Sequence, residues 1–222
     1  MDVFATITTR RSIRRFKSDD VSDEVIMKII DAARWAPSSG NMQPWEFIII
    51  RQKSTINMIM KLFLKRFEEF YTDLPKTHPR YKSPEYIKEK LPLVKTYYKD
   101  APVFIAVFAD STKTQTPLIC GSAAVENLML TVHALGLGTV WLHLLPEKEM
   151  KELLDVPNHY RFIACAPIGY PKENPSPPKR RPLEEMIHYE KFEDKNGNRP
   201  YPDSRKSNIL SQSYDRGSLN SE

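Results

Sequence analysis

The chain has 222 residues, enough for one large domain or two small ones with a real core. Its 41% hydrophobic and 10% aromatic content is that of a globular protein, and its longest apolar run, residues 101–109, is far too short for a membrane span. The net charge of +5 comes from 33 basic residues mixed with 28 acidic ones. With no zinc finger, RNA-binding signature or aromatic-interleaved basic stripe, that balance does not describe a nucleic-acid partner.

No secretory apolar region opens the sequence, and the acids Asp19, Asp20, Asp23 and Glu24 argue against a transit peptide. Cys120 and Cys165 are the two cysteines, each in an apolar context with no metal-ligand spacing. They read as buried thiols in a reducing compartment, so a cytoplasmic protein with no metal site is expected.

Val3, Phe4 and Ile7 stand at helical spacing and predict a short helix that docks on the core. Directly after it, Arg10, Arg11, Arg14 and Arg15 crowd six positions around Ser12. Guanidinium forks and a hydroxyl suit phosphate oxygens, so this is a candidate anion seat, with a simple basic arm as the plainer reading. Ser22 then caps a helix running to about Trp35, with Val25, Ile26, Ile29, Ile30, Ala33 and Ala36 toward the core.

The loop Pro37-Ser38-Ser39-Gly40-Asn41-Met42-Gln43-Pro44-Trp45 leads into a buried strand, Phe47-Ile48-Ile49-Ile50. Its small polar groups fit a ligand or plain turn chemistry. A helix from Ser54 or Thr55 carries Ile56, Ile59, Met60, Phe63 and Phe67. Residues 71–92 read as a polar flap that includes room for a short helix.

Residues 102–109 form a second buried strand. Thr116 and Pro117 open a long central helix closed by Gly136, with Glu126 and Asn127 expected as a satisfied buried pair. Gly136-Leu137-Gly138 turns into a third strand, Thr139-Val140-Trp141, and lacks the register of a dinucleotide fingerprint. A short helix at 146–154, a fourth strand at 160–166 and a turn at 168–171 follow. Pro175 to Pro182 is a stiff segment presenting Lys179, Arg180 and Arg181, and the last 35 or so residues are polar and apolar-poor.

Four of these motifs in this order — Arg-Arg-Ser-x-Arg, Pro-Ser-Ser-Gly-Asn-x-Gln-Pro-Trp, Gly-Leu-Gly-Thr-Val-Trp, and Gly-Tyr-Pro with Lys-Arg-Arg-Pro — resemble the nitroreductase-like flavoprotein family. The resemblance covers roughly residues 2–187. It implies an α+β fold: a three-layer α/β/α sandwich with a mixed central sheet, a long central helix and a domain-entwined homodimer. It also implies an FMN-binding domain over 1–187 and a C-terminal extension over 188–222 that packs on the partner subunit.

By the same resemblance, Arg10, Arg11, Ser12 and Arg14 hold the FMN phosphate and ribityl chain, and Lys179 and Arg181 complete the phosphate site. Pro37, Ser38, Ser39 and Asn41, with Gln43 nearby, form a loop lent to the other subunit's flavin. Leu142, His143 and Leu144 align with a stretch whose backbone amides face the ring; His143 stands where several relatives carry an acid or a glycine. The implied activity is hydride transfer from NAD(P)H to a nitroaromatic, quinone or similar small acceptor by a ping-pong mechanism. Reductive dehalogenation, flavin fragmentation and a non-catalytic flavin-binding sensor are the alternatives. Because the flavin carries the redox chemistry, no catalytic side chain is expected.

Overall fold

The computed structural model describes residues 2–74 and 82–192. The chain divides into two compact units, Met1–Pro177 and Pro178–Glu222. The first holds helices α1 (Val3–Thr9), α2 (Asp23–Ala33), α3 (Lys53–Thr72), α4 (Pro84–Val94), α5 (Pro117–Ala134) and α6 (Glu147–Leu153), with strands β1 (Trp45–Ile50), β2 (Val103–Asp110), β3 (Gly138–Thr139) and β4 (Tyr160–Gly169). In the second, the described residues contain one 3₁₀ turn, Leu183–Glu185.

The sheet runs β1-β2-β4-β3 with every neighbour antiparallel. Its parallel component is the bridge between Ser12 and Thr139. All of β2 is buried, and its alternation builds the layers. Phe104, Ala106 and Phe108 join a cluster with Ile56, Ile59, Met60 and Phe63 of α3 and Met150 of α6. Val103, Ile105, Val107 and Ala109 face Ile26, Ile29 and Ala33 of α2 and Val125, Leu128, Met129 and Val132 of α5. The α+β, three-layer sandwich around a long central helix is the architecture present.

Several elements differ from their sequence reading for local reasons. The apolar face of α1 does not dock: Phe4 is 79% exposed and Val3 and Ile7 are also exposed, while Thr6 is the buried residue of that helix. The helix is held by Asp2, which accepts from the Ala5 amide, and by its threonine hydroxyls. In the 71–92 segment, α3 continues through Thr72 and Ser83 caps α4 by accepting from the Tyr86 amide, so much of it is helix; residues 75–81 lie outside the described residues.

Glu126 is exposed and Asn127 donates to Ala32 O at 3.4 Å, so they are not a buried pair. Thr116 makes no side-chain cap. At the other end, Gly136 (φ 76°) supplies the left-handed residue, with Gly136 N donating to His133 O and Leu137 N to Val132 O, the paired bonds of a Schellman motif.

The third strand is cut short by Pro167. Gly138 pairs with Gly169, and Leu142 exchanges both hydrogen bonds with Cys165 in the same register. Val140 would be opposite Pro167, which has no N–H to give, so the ladder opens between the two ends. The expected turn at 168–171 is instead strand through Gly169, because Gly138 and Thr139 pair with it. Cys165 is fully buried and its thiol is pushed well up by burial, consistent with a structural rather than reactive role.

Candidate functional site

The segment 10–17 lies as an extra strand along the open edge of the sheet. Ile13 N donates to Thr139 O at 3.0 Å, Lys17 N to Tyr170 O at 2.9 Å, and Lys172 N to Arg15 O at 2.9 Å. Glu173 accepts from two successive amides of this segment, Arg14 N at 2.6 Å and Arg15 N at 3.2 Å, and Tyr98 N donates to Arg14 O at 2.9 Å. Ile13 and Phe16 point inward and are buried, which leaves Arg10, Arg11, Ser12 and Arg14 half-buried at the rim. Local sequence supplies the charges; pairing across the fold fixes their backbone.

Gly138 makes this docking possible. A Cβ there would meet Ile13 Cβ, Cγ1 and Cγ2, each at 2.8 Å. Gly138→Ala is therefore expected to lower stability by about 1–3 kcal/mol, the usual cost of overpacking. A urea midpoint equal to that of the parent protein would show that the arginine segment docks less tightly than its contacts indicate.

The side chains at this rim are short of acceptors. Arg11 Nη1 donates to Thr8 O (2.8 Å) and Arg10 O (2.9 Å), and Arg14 Nη1 donates to Ser12 O at 3.3 Å. Among the described residues, none of Arg10, Arg11 and Arg14 makes an ion pair with a carboxylate. With no carboxylate ion-paired to them among the described residues, three half-buried guanidiniums create a positive field that a bound anion relieves. His133 registers that field: burial holds its ring below the usual histidine range, and Arg10 and Arg11 push it further down. Thr139 adds a buried hydroxyl with no partner among the described residues. Burial pushes Tyr98 up to about 12, against the charge and hydrogen bond of Arg14, so it stays a neutral phenol beside that guanidinium.

The second candidate segment is the loop before β1. Asn41 N donates to Ser38 O at 3.0 Å and Gln43 N to Ser38 Oγ at 3.0 Å, so Ser38 organises the turn. Gly40 (φ 55°), Asn41 (φ 55°) and Gln43 (φ 47°) are left-handed, an unusual conformation for glutamine and one that strained binding loops use. Pro37, Asn41 and Gln43, with Arg34, Trp35 and Ala36, line a cavity of about 380 Å3. No hydrogen bond or ion pair among the described residues joins this loop to the arginine segment.

The third segment follows β3. Since Leu142 exchanges both backbone bonds with Cys165, its amide is committed to the sheet. His143 is exposed and Leu144 partly so, four and five residues beyond the Thr139 that bridges Ser12. The fold thus brings 142–144 onto the sheet edge that carries the arginines. In the second unit Lys179 is exposed, whereas Arg181 pairs with Glu185, Nε to Oε2 at 3.1 Å, and donates Nη2 to Glu185 O at 3.0 Å.

The model of the Nitroreductase family matches residues 7–170, most of the chain. The protein is a member of the Nitroreductase family. It is 34% identical over 202 residues to a Methanothermobacter thermautotrophicus protein named for NADH dehydrogenase and NAD(P)H nitroreductase activities, covering 86% of this chain and 88% of that one. It is 28% identical to the iodotyrosine deiodinase of Thermotoga neapolitana, covering 82% and 95% of the two chains. A solved nitroreductase-type structure from Desulfovibrio desulfuricans, in complex with FMN, superposes with a TM-score of 0.62 at 30% identity, covering 87% of this chain and 99% of that one.

For this nitroreductase-family chain, several residues at the rim escape a reading of the sequence. Tyr98, His133, Thr139 and Glu173 meet the arginine segment only through tertiary contact; Glu173 is 159 residues from Arg14. A histidine in the last turn of a helix is a local signal, but it reads equally as an ordinary C-terminal dipole partner.

Proposed function

We propose that the protein is an FMN-dependent oxidoreductase that takes a hydride from NAD(P)H and passes electrons to a small acceptor, a nitroaromatic, a quinone or a similar molecule, in a ping-pong cycle. The observation that carries the reading is the set of three half-buried guanidiniums without carboxylate partners among the described residues, held on the sheet edge beside Thr139. Their donors fit a phosphate dianion, and the orphaned Thr139 hydroxyl marks unmet polar capacity at the same edge.

FMN, when bound, supplies the two-electron chemistry, and the chain's own residues bind it and shape its surroundings. Arg10, Arg11 and Arg14 hold the phosphate, and the Ser12 hydroxyl adds a donor toward the phosphate and ribityl chain. Lys179 and Arg181, in the second unit, are cations that the family resemblance assigns to a phosphate, and Arg181 is paired with Glu185. Of residues 142–144, Leu142 has its amide in the sheet, which leaves His143 and Leu144 as the proposed backbone donors toward the ring.

In the proposed homodimer, Pro37, Ser38, Ser39, Asn41 and Gln43 of one subunit cover the flavin held by the other. The exposed apolar side chains Val3, Phe4, Ile7, Trp35 and Ile119 are the surface such a dimer would bury. The C-terminal extension, 188–222, lies outside the described residues from 193 onward. Among the described residues no helix is long and apolar enough to cross a membrane.

The test is an absorbance spectrum of the purified protein, repeated anaerobically after NADH and then NADPH. Flavin bands that bleach within seconds establish turnover and name the donor. Protein that carries no flavin and binds none when it is added overturns the reading. The likeness to iodotyrosine deiodinase makes iodide release from a halogenated tyrosine the next acceptor assay after nitroaromatics and quinones.

A further inference from the structure

His133 sits in the last turn of α5, and its Nε2 is 2.8 Å from the hydroxyl of Thr9, the last residue of α1. The next two residues are Arg10 and Arg11. Thr9 Oγ1 also lies 2.6 Å from Ala5 O, a carbonyl that can only accept, so the hydroxyl hydrogen goes there. Toward His133 the same oxygen therefore accepts, and Nε2 carries the ring's hydrogen. The vacant nitrogen of the neutral ring is Nδ1. Among the described residues the charges that act on the ring are Arg10 and Arg11, from the segment after α1; neither the rest of α5 nor α2 or the strands packed on it bring a carboxylate to bear.

We propose that His133 is a positioning residue of the anion site: it fixes the end of α1 from which Arg10 and Arg11 project, and a solvent proton settles on its Nδ1 when a phosphate occupies those two guanidiniums. This rests on the phosphate reading above. The physical argument is reciprocity. Two guanidiniums disfavour an imidazolium beside them, and a dianion that offsets their charge removes that penalty. Anion binding and proton uptake must then favour each other. The Nε2–H bond to Thr9 survives protonation, so the clamp stays closed while the charge changes. The sign follows: the ring's proton affinity is low in the free site and higher in the occupied one, so the coupling is absent in alkaline solution and grows as pH falls through the histidine range.

The test is FMN affinity of flavin-stripped protein, followed by fluorescence quenching between about pH 8.5 and about pH 5.5. FMN itself loses phosphate charge near the bottom of that range, so each variant is compared with the parent protein at the same pH. His133→Gln keeps an N–H for Thr9 but cannot titrate. It should match the parent at the alkaline end and bind FMN about threefold to tenfold more weakly at the acid end, the effect of a shift of up to about one pH unit. His133→Ala loses the clamp as well and should bind more weakly throughout.

Riboflavin, which lacks the phosphate, should show no pH-dependent difference between parent and His133→Gln. A constant ratio across the range for FMN, or the same pH-dependent ratio for riboflavin, overturns the inference. Arg10→Ala separates the two readings. If it weakens FMN while the His133 variants behave as the parent, the inference alone falls; if it leaves FMN affinity unchanged, the phosphate reading falls and the inference with it.

Discussion

Replacing Arg10 by alanine is expected to weaken FMN retention by about 1.5–3 kcal/mol, the worth of a hydrogen bond to a charged group. That is about tenfold to about 150-fold in Kd, measured by fluorescence titration of flavin-stripped protein. Arg10 is the cleanest probe of the cluster because its side chain makes no hydrogen bond or ion pair among the described residues. Its removal should therefore leave the urea midpoint nearly unchanged, within about 0.5 kcal/mol. Arg11 is a poorer probe, since its Nη1 also satisfies the Thr8 and Arg10 carbonyls at the end of α1. Unchanged FMN affinity in Arg10→Ala would mean that the phosphate lies elsewhere.

The largest stability effect is expected in the centre of the sheet. Phe104 is 0% exposed, paired with Ile50 on β1 and Pro167 on β4, and packed in the cluster that joins the sheet to α3 and α6. Phe104→Ala should cost about 3–5 kcal/mol, from lost burial plus the cavity left behind. That is a large share of the roughly 5–15 kcal/mol available to a domain. Both neighbouring strands and the helices are fixed by their own hydrogen bonds, so collapse into the void is limited. Urea denaturation measures it. A loss below about 1 kcal/mol would mean that the cluster repacks freely, contrary to the density expected of such a core.

Much of this protein is written in short-range pattern. The period of apolar residues places α2, α3 and α5, and the β-branched runs place β1, β2 and β4, since these signals depend on a few neighbours along the chain. Ser22 as a cap and Gly136 as a helix stop are equally local, because each satisfies backbone groups within its own turn. The charge of the arginine segment is local too, and with the order of the motifs it points to the family before any coordinate is known.

What the sequence alone leaves open is which surface each pattern meets. The face of α1 carrying Val3, Phe4 and Ile7 looks like core material, yet it lies outward, because amphipathicity specifies a buried face without saying what buries it. Glu126 turns out exposed for the same reason. The break in the third strand depends on Pro167 standing opposite Val140, a register that exists only once β4 has folded beside it. Glu173, Tyr98 and His133 reach the arginine segment from far along the chain. The sequence determined the elements and the charges, through interactions that span a turn or two. Tertiary structure alone decided that those charges lie half-buried on one sheet edge with no ion-paired carboxylate among the described residues, since desolvation and field depend on distance through space and not along the chain.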